Sequence, residues 1–444
     1  MLQAGVGGAV LRLSSALRGS NTLRRLAEIR AEPYVSAEEA SRRQLDRTRE
    51  LLRHCEATVP FYRERFRSAG IRADDVRSWQ DFAAIPVLTK QDVRDHVEAL
   101  VSEAVDRTTL MPHHSGGSTG VPLKFYRTME YAALSEAGTY RNFMQCGWRP
   151  GEMIGFFWGA NEKLEAMRAP EFVARQWLRR MYQFDPFRSG PADMDRWFRA
   201  WRLVRPRVAL GYASTIARFA RHLEERGLRP APLRGVFTTA EKLYPAQREL
   251  IARVFDAPVF DCYGSSEVQN IAAECPRGSM HINADYVVVE TFPEPADGAP
   301  PPLILTSLKN RAMPLIRYRN EDCGRLVSER CDCGNGFPLM SLEVARTSDN
   351  FTLPNGRVVH GEYFTHLLYG SKGVDSFQFH QTAVDRIVLR YVASAGGNPA
   401  PALAHAAAEV DRLAPGQVRV DVEPVSEIAL SRAGKHRFTR SDVS

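Results

Sequence analysis

Between Met153 and Cys262 short apolar runs alternate with segments whose apolar residues recur at helical spacing. The runs Met153 to Trp158, Arg207 to Gly211, Arg234 to Thr238 and Pro258 to Cys262 are bounded by turn residues and read as strands. The segments Glu171 to Tyr182, Asp193 to Val204, Thr215 to Arg226 and Pro245 to Phe255 read as helices, with Pro245 in the first turn, where proline costs no hydrogen bond. This alternation predicts an α/β domain on a largely parallel sheet, with ligands at the carboxyl ends of its strands. Upstream, Ser36 to Cys55 has the periodicity of a long amphipathic helix and Leu123 to Thr128 alternates like a strand; downstream, Leu303 to Ser307 reads as another strand. Near Ala345 the pattern changes to helix (Gly361 to Tyr369), strand (Ser376 to Thr382), strand (Arg386 to Ala393), helix (Pro401 to Leu413) and strand (Val418 to Val422). That is a small α+β unit of its own, so the expected domains are 1–345, with 1–35 a helical or poorly ordered extension, and 346–444.

A chain of 444 residues exceeds what one hydrophobic core usually supports. Its 44% hydrophobic and 25% charged residues exclude disorder as the general state. The net charge of +7 comes from Arg interleaved with Asp and Glu, without a basic block or a base-reading motif. A nucleic-acid partner is therefore not expected, whereas phosphorylated small molecules suit the balance. No apolar run approaches the ~18 residues that cross a bilayer, so no membrane span is expected and a cytoplasmic location is. Met1 to Arg30, rich in Arg and poor in acid, superficially has the composition of a transit peptide, but the same Ala/Arg bias runs through the whole chain and an amphipathic helix is the expectation. Seven cysteines, odd in number and unevenly spread, argue against a secreted disulfide framework.

Candidate chemistry gathers in a few stretches. In Ser115-Gly116-Gly117-Ser118-Thr119-Gly120-Val121-Pro122-Leu123-Lys124 the glycines admit close backbone approach, the hydroxyls donate and Lys124 adds a cation. That is the composition of a phosphate cradle, and also of a Gly/Ser hairpin turn; Val121 and Pro122 rule out the Walker spacing. Ala240 and Glu241 follow the third strand, and Tyr263-Gly264-Ser265-Ser266-Glu267 ends the fourth. Cys331 and Cys333 on a turn, with Cys275 and His281, make a Cys₃His set suited to structural Zn²⁺; free thiols and a surface histidine are the alternative. Cys55, Cys146, Cys262 and Cys323 read as core thiols.

The order Ser-Gly-Gly-Ser-Thr-Gly-Val-Pro-Leu-Lys resembles the signature loop of the adenylate-forming enzymes. Pro60-Phe61-Tyr62-Arg63 and Ile85-Pro86-Val87-Leu88-Thr89-Lys90 resemble the region preceding that loop in the phenylacetate-CoA ligase family. Tyr263 to Glu267, Met313 to Asp322 and Gly434-Lys435-His436-Arg437 resemble further motifs of the family, in family order, from about Arg47 to the end of the chain. The resemblance implies ATP phosphate binding by Ser115 to Gly120 and Lys124. It implies adenine and ribose binding by Ala240, Glu241, Tyr263, Gly264, Ser265, Ser266, Asp322 and Arg346, Mg²⁺ binding by Glu267, catalysis by Lys435 with Glu267, and a hinge at Asp349 between a large domain and a mobile lid. Asn320 and Glu321 replace the family's Thr-Gly before the ribose aspartate, and Ala345 and Ser348 alter the hinge motif. Phe143, Trp158, Tyr212 and Ala213 are candidates for the acyl pocket, since aromatics near strand ends suit an aryl or arylacetyl group, with core packing as the other reading. The implied activity is ATP-dependent conversion of a carboxylic acid to an acyl-adenylate and transfer to coenzyme A. A carrier-protein thiol or an amine is the alternative acceptor. An adenylyltransferase or a nucleotide-binding protein without turnover is the reading from another class, and a homodimer is the assembly to test.

Overall fold

The computed structural model describes residues 2–114, 123–158, 170–186, 189–293, 300–343, 351–359, 361–368, 371–394, 396–429 and 436–443. They divide into two units, Met1–Asn320 with Gly324–Leu342, and Glu321–Cys323 with Glu343–Ser444. In the first unit, helices α1 (Leu2–Leu17) and α2 (Thr22–Ile29) precede α3 (Ala37–Thr58), α4 (Pro60–Ser68), α5 (Trp79–Ala83) and α6 (Lys90–Asp95). Side chains set where these begin: Ser36 Oγ accepts from the Glu39 amide at 3.1 Å, and Ser78 with Asp81 and Thr89 with Asp92 form reciprocal capping boxes. Strands β1 (Met111–His114) and β2 (Lys124–Arg127) form an antiparallel hairpin with His114 opposite Lys124, so residues 115–123 join two paired strands. Helix α7 (Met129–Met144) follows, capped by Thr128.

Next come β3 (Ile154–Phe157), α8 (Pro170–Leu178), β4 (Met181–Phe184), α9 (Pro191–Val204), β5 (Val208–Tyr212), α10 (Ala213–Glu225), β6 (Gly235–Thr239), α11 (Pro245–Phe255) and β7 (Val259–Tyr263). The strands among them run parallel in the order β4-β3-β5-β6-β7. Strands β8 (Ala272–Glu274), β9 (Met280–Ile282), β10 (Val287–Thr291), β11 (Pro302–Ser307), β12 (Tyr318–Val327) and β13 (Leu339–Glu343) extend this block into an 11-stranded mixed sheet, β10-β11-β12-β13-β9-β8-β7-β6-β5-β3-β4. The parallel strands expected from the alternation over Met153 to Cys262 form the block from β3 to β7, and antiparallel pairs β7–β8, β8–β9, β9–β13 and β10–β11 make the whole sheet mixed. Strand β4 corrects one expectation. The helix read as Glu171 to Tyr182 stops at Leu178, because Arg180 takes φ +59, and the apolar residues after it join the sheet edge.

Parallel strands covered on both faces explain the continuous apolar runs. In β6 Val236 points into a cluster with Phe157, Trp197, Trp201 and Phe255, while Phe237 points into another with Phe143, Trp148 and Phe260. Gly211 is required where it stands: a Cβ there would lie 2.4 Å from the Phe157 carbonyl oxygen.

The second unit holds the hairpin β14 (Phe351–Thr352) and β15 (Val358–Val359), then α12 (Gly361–Leu368), β16 (Val374–Ala383), β17 (Arg386–Ala393), α13 (Ala400–Leu413), β18 (Arg419–Pro424) and β19 (Thr439–Ser441). Its 4-stranded sheet has the order β18-β17-β16-β19 over a core that includes Phe364, Phe379, Leu389 and Val410. The predicted helices and strands are present, and β19 is an unforeseen edge strand.

Deep in the first unit Arg141 donates to both oxygens of Asp285, at 2.8 and 2.9 Å, and to Asn283 Oδ1 at 2.9 Å, with Asp285 fully buried. Removing one partner leaves the other charge without compensation. Arg141→Ala is therefore expected to lower the urea unfolding free energy by ~3–5 kcal/mol, measured by the shift of the denaturation midpoint.

Candidate active site

Parallel pairing aligns the strand ends. Phe157 is level with Gly211, Gly211 with Thr238 and Thr238 with Asp261; one step on, Tyr212 is level with Thr239 and Thr239 with Cys262. The residues that leave these ends are Trp158, Tyr212 with Ala213, Ala240 with Glu241, and Tyr263 through Glu267. Four stretches far apart in sequence thus open onto the edge where α/β sheets bind ligands.

Trp158 stacks on Tyr212 with ring centroids 4.4 Å apart and planes at 25°. Burial pushes the Tyr212 hydroxyl up, so it stays neutral. Ala213 opens α10 and is fully buried, and Phe143 packs 4.7 Å from Phe237 on the other side of the sheet; both are core residues in this arrangement. Ala240 takes φ +69, and the turn brings Glu241 Oε2 within 2.9 Å of the Ser214 amide, a carboxylate at the amino end of α10.

The segment after β7 is fastened on several sides. Asn320 Nδ2 donates to the Tyr263 hydroxyl at 2.7 Å, so the residue that departs from the family motif holds the predicted adenine-stacking ring. The Val268 amide donates to Ser265 Oγ at 3.0 Å, and the Gln269 amide donates to the Tyr131 hydroxyl at 3.3 Å. Asn270 Nδ2 donates to the Ser135 carbonyl at 2.8 Å. Arg127 Nη2 donates to the Ser266 carbonyl, its guanidinium lying 5.1 Å from the Phe125 ring centre and 5.9 Å from that of Tyr131. Burial holds Arg127 below its usual pKa range, opposed by Tyr131 and by Glu267, itself buried beside Gly264 to Ser266. Arg127 Nε is buried without a hydrogen-bond partner.

Arg127 and Tyr131 are not among the residues expected from sequence. The signal is the alternation in β2: Phe125 and Arg127 share the inward face, and a cation there demands an acceptor. Lys124 points outward, with Nζ 3.8 Å from Glu98 Oε1 and 4.9 Å from the Tyr126 ring centre; contacts with Tyr126 and Glu98 raise its pKa. Asp322 is buried on β12, two residues beyond Asn320. Ser115, Gly116, Gly117, Ser118, Thr119, Gly120, Arg346, Asp349 and Lys435 lie outside the described residues.

The Cys₃His set comes together. Cys275 follows β8, His281 lies on β9, and Cys331 and Cys333 lie on the turn between β12 and β13, with all four donor atoms within 4.8 Å of one another. Cys275 and Cys331 sulfurs are 3.6 Å apart, against about 3.8 Å for an edge of a tetrahedron with ~2.3 Å metal–sulfur bonds. His281 Nδ1 lies 3.0 Å from the Phe337 carbonyl, a contact that requires a proton on Nδ1 and leaves the Nε2 lone pair, 3.3 Å from Cys333 Sγ, for a cation. Burial opposes ionisation of Cys331, but hydrogen bonds with Ser279, His281 and Cys333 outweigh it and bring the thiol down to about 6. A cavity of about 260 Å³, lined in part by Cys275, His281 and Cys333, borders the cluster. The strand register sets the site's role: β8 runs antiparallel to β7 with Ala272 opposite Tyr263, so Cys275 lies toward the amino end of β7, away from the ligand edge. The donor set fits a closed tetrahedral site with no position for a substrate.

No family model matches the chain. It is similar to the phenylacetate-coenzyme A ligase of Pseudomonas putida, 26% identical over 336 residues that cover 72% of this chain and 74% of that protein. The phenylacetate-coenzyme A ligase of Thermus thermophilus is 28% identical over 328 residues, covering 69% of this chain and 70% of that protein. Among solved structures, 2-hydroxyisobutyryl-CoA ligase in the postadenylation state superposes with a TM-score of 0.73 at 22% identity, covering 93% of this chain and 92% of that one. The fold is the one seen in that ligase, and the sequence resemblance read from the motifs extends over about two thirds of the chain or more.

The Arg127 contact makes a prediction independent of activity. Arg127→Gln loses a charged hydrogen bond worth ~1.5–3 kcal/mol, so amide hydrogen exchange across residues 265–270 is expected to quicken at least about tenfold, with α9 and α11 unchanged as internal references.

Proposed function

We propose that this chain, a relative of the phenylacetate-CoA ligases, is an AMP-forming acid–CoA ligase. In the first step a carboxylate oxygen of the acid attacks the α-phosphorus of ATP; the bond to the bridging oxygen breaks, giving the acyl-adenylate and pyrophosphate. In the second step the thiol of coenzyme A loses its proton and attacks the acyl carbon, giving the thioester and AMP. The observation that carries this reading is the joining of three motifs at one sheet edge. Asn320 ties the Met313 to Asn320 segment to Tyr263, and Arg127 ties the strand after the glycine-rich segment to Ser266.

The chain's own groups divide the work. Tyr263, held through its hydroxyl, offers a ring face to adenine, and Asp322 accepts the ribose hydroxyls. Ser115 to Gly120 with Lys124 receive the β- and γ-phosphates. Glu267 would hold Mg²⁺, which neutralises phosphate charge when bound. Arg127 keeps the backbone at Ser266 in place beneath it, so donors and carboxylate meet the nucleotide already positioned. The acid lies against the Trp158–Tyr212 pair, whose flat apolar surface suits an aryl or arylacetyl group. Lys435 contacts the α-phosphate and the acid carboxylate, and the 346–444 lid then swings about Asp349 to admit the acceptor. Cys275, His281, Cys331 and Cys333 would hold a structural zinc, which would clamp β8, β9 and the turn before β13.

The first test is ATP-dependent pyrophosphate release across aryl, arylacetyl and aliphatic acids, with hydroxylamine trapping the acyl-adenylate. Release with one acid class and conversion of the trapped species to a CoA thioester are expected. No release with any acid from a protein that binds ATP would overturn the reading. Removing a preorganised donor costs ~3 kcal/mol, so Lys435→Ala should keep ATP binding and lose about a hundredfold or more of pyrophosphate release; near-normal release would remove Lys435 from the mechanism. For the metal, elemental analysis should find one zinc per chain, and Cys331→Ser should lower the melting temperature by ~5 °C or more. A metal-free wild type with an unchanged melting temperature on chelation would exclude it.

A further inference from the structure

Helix α1 is packed with its small and polar side inward. Gly7, Gly8, Ser14 and Ser15 are buried with Leu11, and the contact is so close that a Cβ on Gly7 would stand 2.2 Å from the Gly151 carbonyl oxygen. The opposite side carries Val6, Leu13 and Leu17, which are 67%, 63% and 78% exposed. At 3.6 residues per turn these three fall within a stripe about 40° wide. Helix α8, which packs against α1, exposes Val173, Trp177 and Leu178 by 41%, 44% and 47%. Two neighbouring helices thus present large apolar side chains to solvent, which monomeric surfaces ordinarily avoid as contiguous patches.

The charged residue of α1 itself is basic: Arg12 is exposed about 120° from the stripe, and Arg18 is exposed just past the helix end, while α8 exposes one charge of each sign, Glu171 and Arg175. No Asp or Glu occurs from Met1 through Ala27. An exposed apolar stripe on an acid-free, arginine-bearing segment, packed against a helix that exposes a tryptophan, has the chemistry of a helix lying in a headgroup layer: leucines enter the acyl boundary and guanidiniums stay at the phosphates. A second copy of the chain fits less well, because pairing two acid-free α1 segments would bring like charges together with no acid to offset them. No described helix is long and apolar enough to cross a membrane, so the contact would be peripheral.

We propose that the α1–α8 face is a docking surface for an anionic phospholipid bilayer, with α1 lying parallel to the membrane plane. The test is flotation of the full chain with vesicles of phosphatidylcholine alone or mixed with phosphatidylglycerol, at low and high salt. Flotation with the anionic vesicles, weakened by salt and weak with phosphatidylcholine alone, is expected. The double variant Leu13→Glu/Leu17→Glu should lose at least about tenfold of that partitioning, since both side chains would carry charge into the acyl boundary. Arg12→Glu/Arg18→Glu should abolish the preference for anionic lipid. Leu203→Glu, at a lone site on α9 that is 83% exposed, should float like the wild type. All these positions are exposed, so an unchanged thermal midpoint confirms that the variants fold. Wild type remaining at the bottom of the gradient with anionic vesicles would overturn the proposal, as would equal flotation of the leucine double variant. A dimer in gel filtration that the leucine double variant dissociates, without vesicle binding, would assign the face to a second copy and overturn it equally.

Discussion

The in-register parallel pairing of β3, β5, β6 and β7 is the constraint on which the candidate site rests. A parallel strand needs a crossover before its neighbour, so the stretches that leave the four strand ends are separated by tens of residues in sequence yet adjacent in space. A register slip of one residue in β6 would turn Val236 and Phe237 to each other's faces and expel both from their clusters. Packing on both faces of the sheet therefore fixes the level at which Trp158, Tyr212, Glu241 and Tyr263 emerge. The site inherits its geometry from the core.

Register alone does not hold the segment from Gly264 to Asn270, which leaves the sheet before returning in β8. It is held by partners on other elements: Arg127 from β2, Tyr131 and Ser135 from α7, and Asn283 at 3.0 Å from the Asn270 carbonyl. These bonds go largely to backbone atoms, which orients the segment without using the side chains of Ser266 and Glu267. A carboxylate left beside a buried guanidinium that lacks a partner at Nε keeps a polar, partly desolvated position, where charge on a ligand would interact strongly. The Asn320 departure fits the same logic. Its amide reaches the Tyr263 hydroxyl, so the substitution brings a positioning contact along with it.

Local pattern made β3, β5, β6, β7 and most of the helices between them legible, since each strand is an apolar run bounded by turn residues and each helix repeats at helical spacing. Strand β4 was hidden because its four residues continue the apolar spacing of α8, and the left-handed Arg180 that separates them leaves no mark in composition. Strands β8, β9 and β13 were equally hidden: they have 3, 3 and 5 residues, and what defines them is antiparallel pairing with distant partners, reinforced by the Cys₃His cluster. The cluster itself was legible from ligand chemistry although its halves are about fifty residues apart, because thiolates and imidazole have few other reasons to converge. The acyl-pocket candidates were less so. Sequence does not tell a pocket-facing aromatic from a core one: Phe143 on α7, Tyr212 and Ala213 are all buried, Phe143 against Phe237 and Tyr212 against the partly exposed Trp158.

Helix α1 carries that ambiguity further. Its sequence has an apolar stripe, and a stripe on a globular protein is ordinarily assigned to the core. Periodicity, however, reports only that a helix has two unlike faces; which one turns inward depends on the surface waiting for it. Gly151, at φ +100, presents backbone rather than side chains, and close approach to backbone selects Gly7 and Gly8 over leucine. Once those glycines are inside, the 100° step of the helix carries Val6, Leu13 and Leu17 outward regardless of their hydrophobicity. The exposed apolar surface is thus not a defect of packing but the consequence of a better fit on the other side.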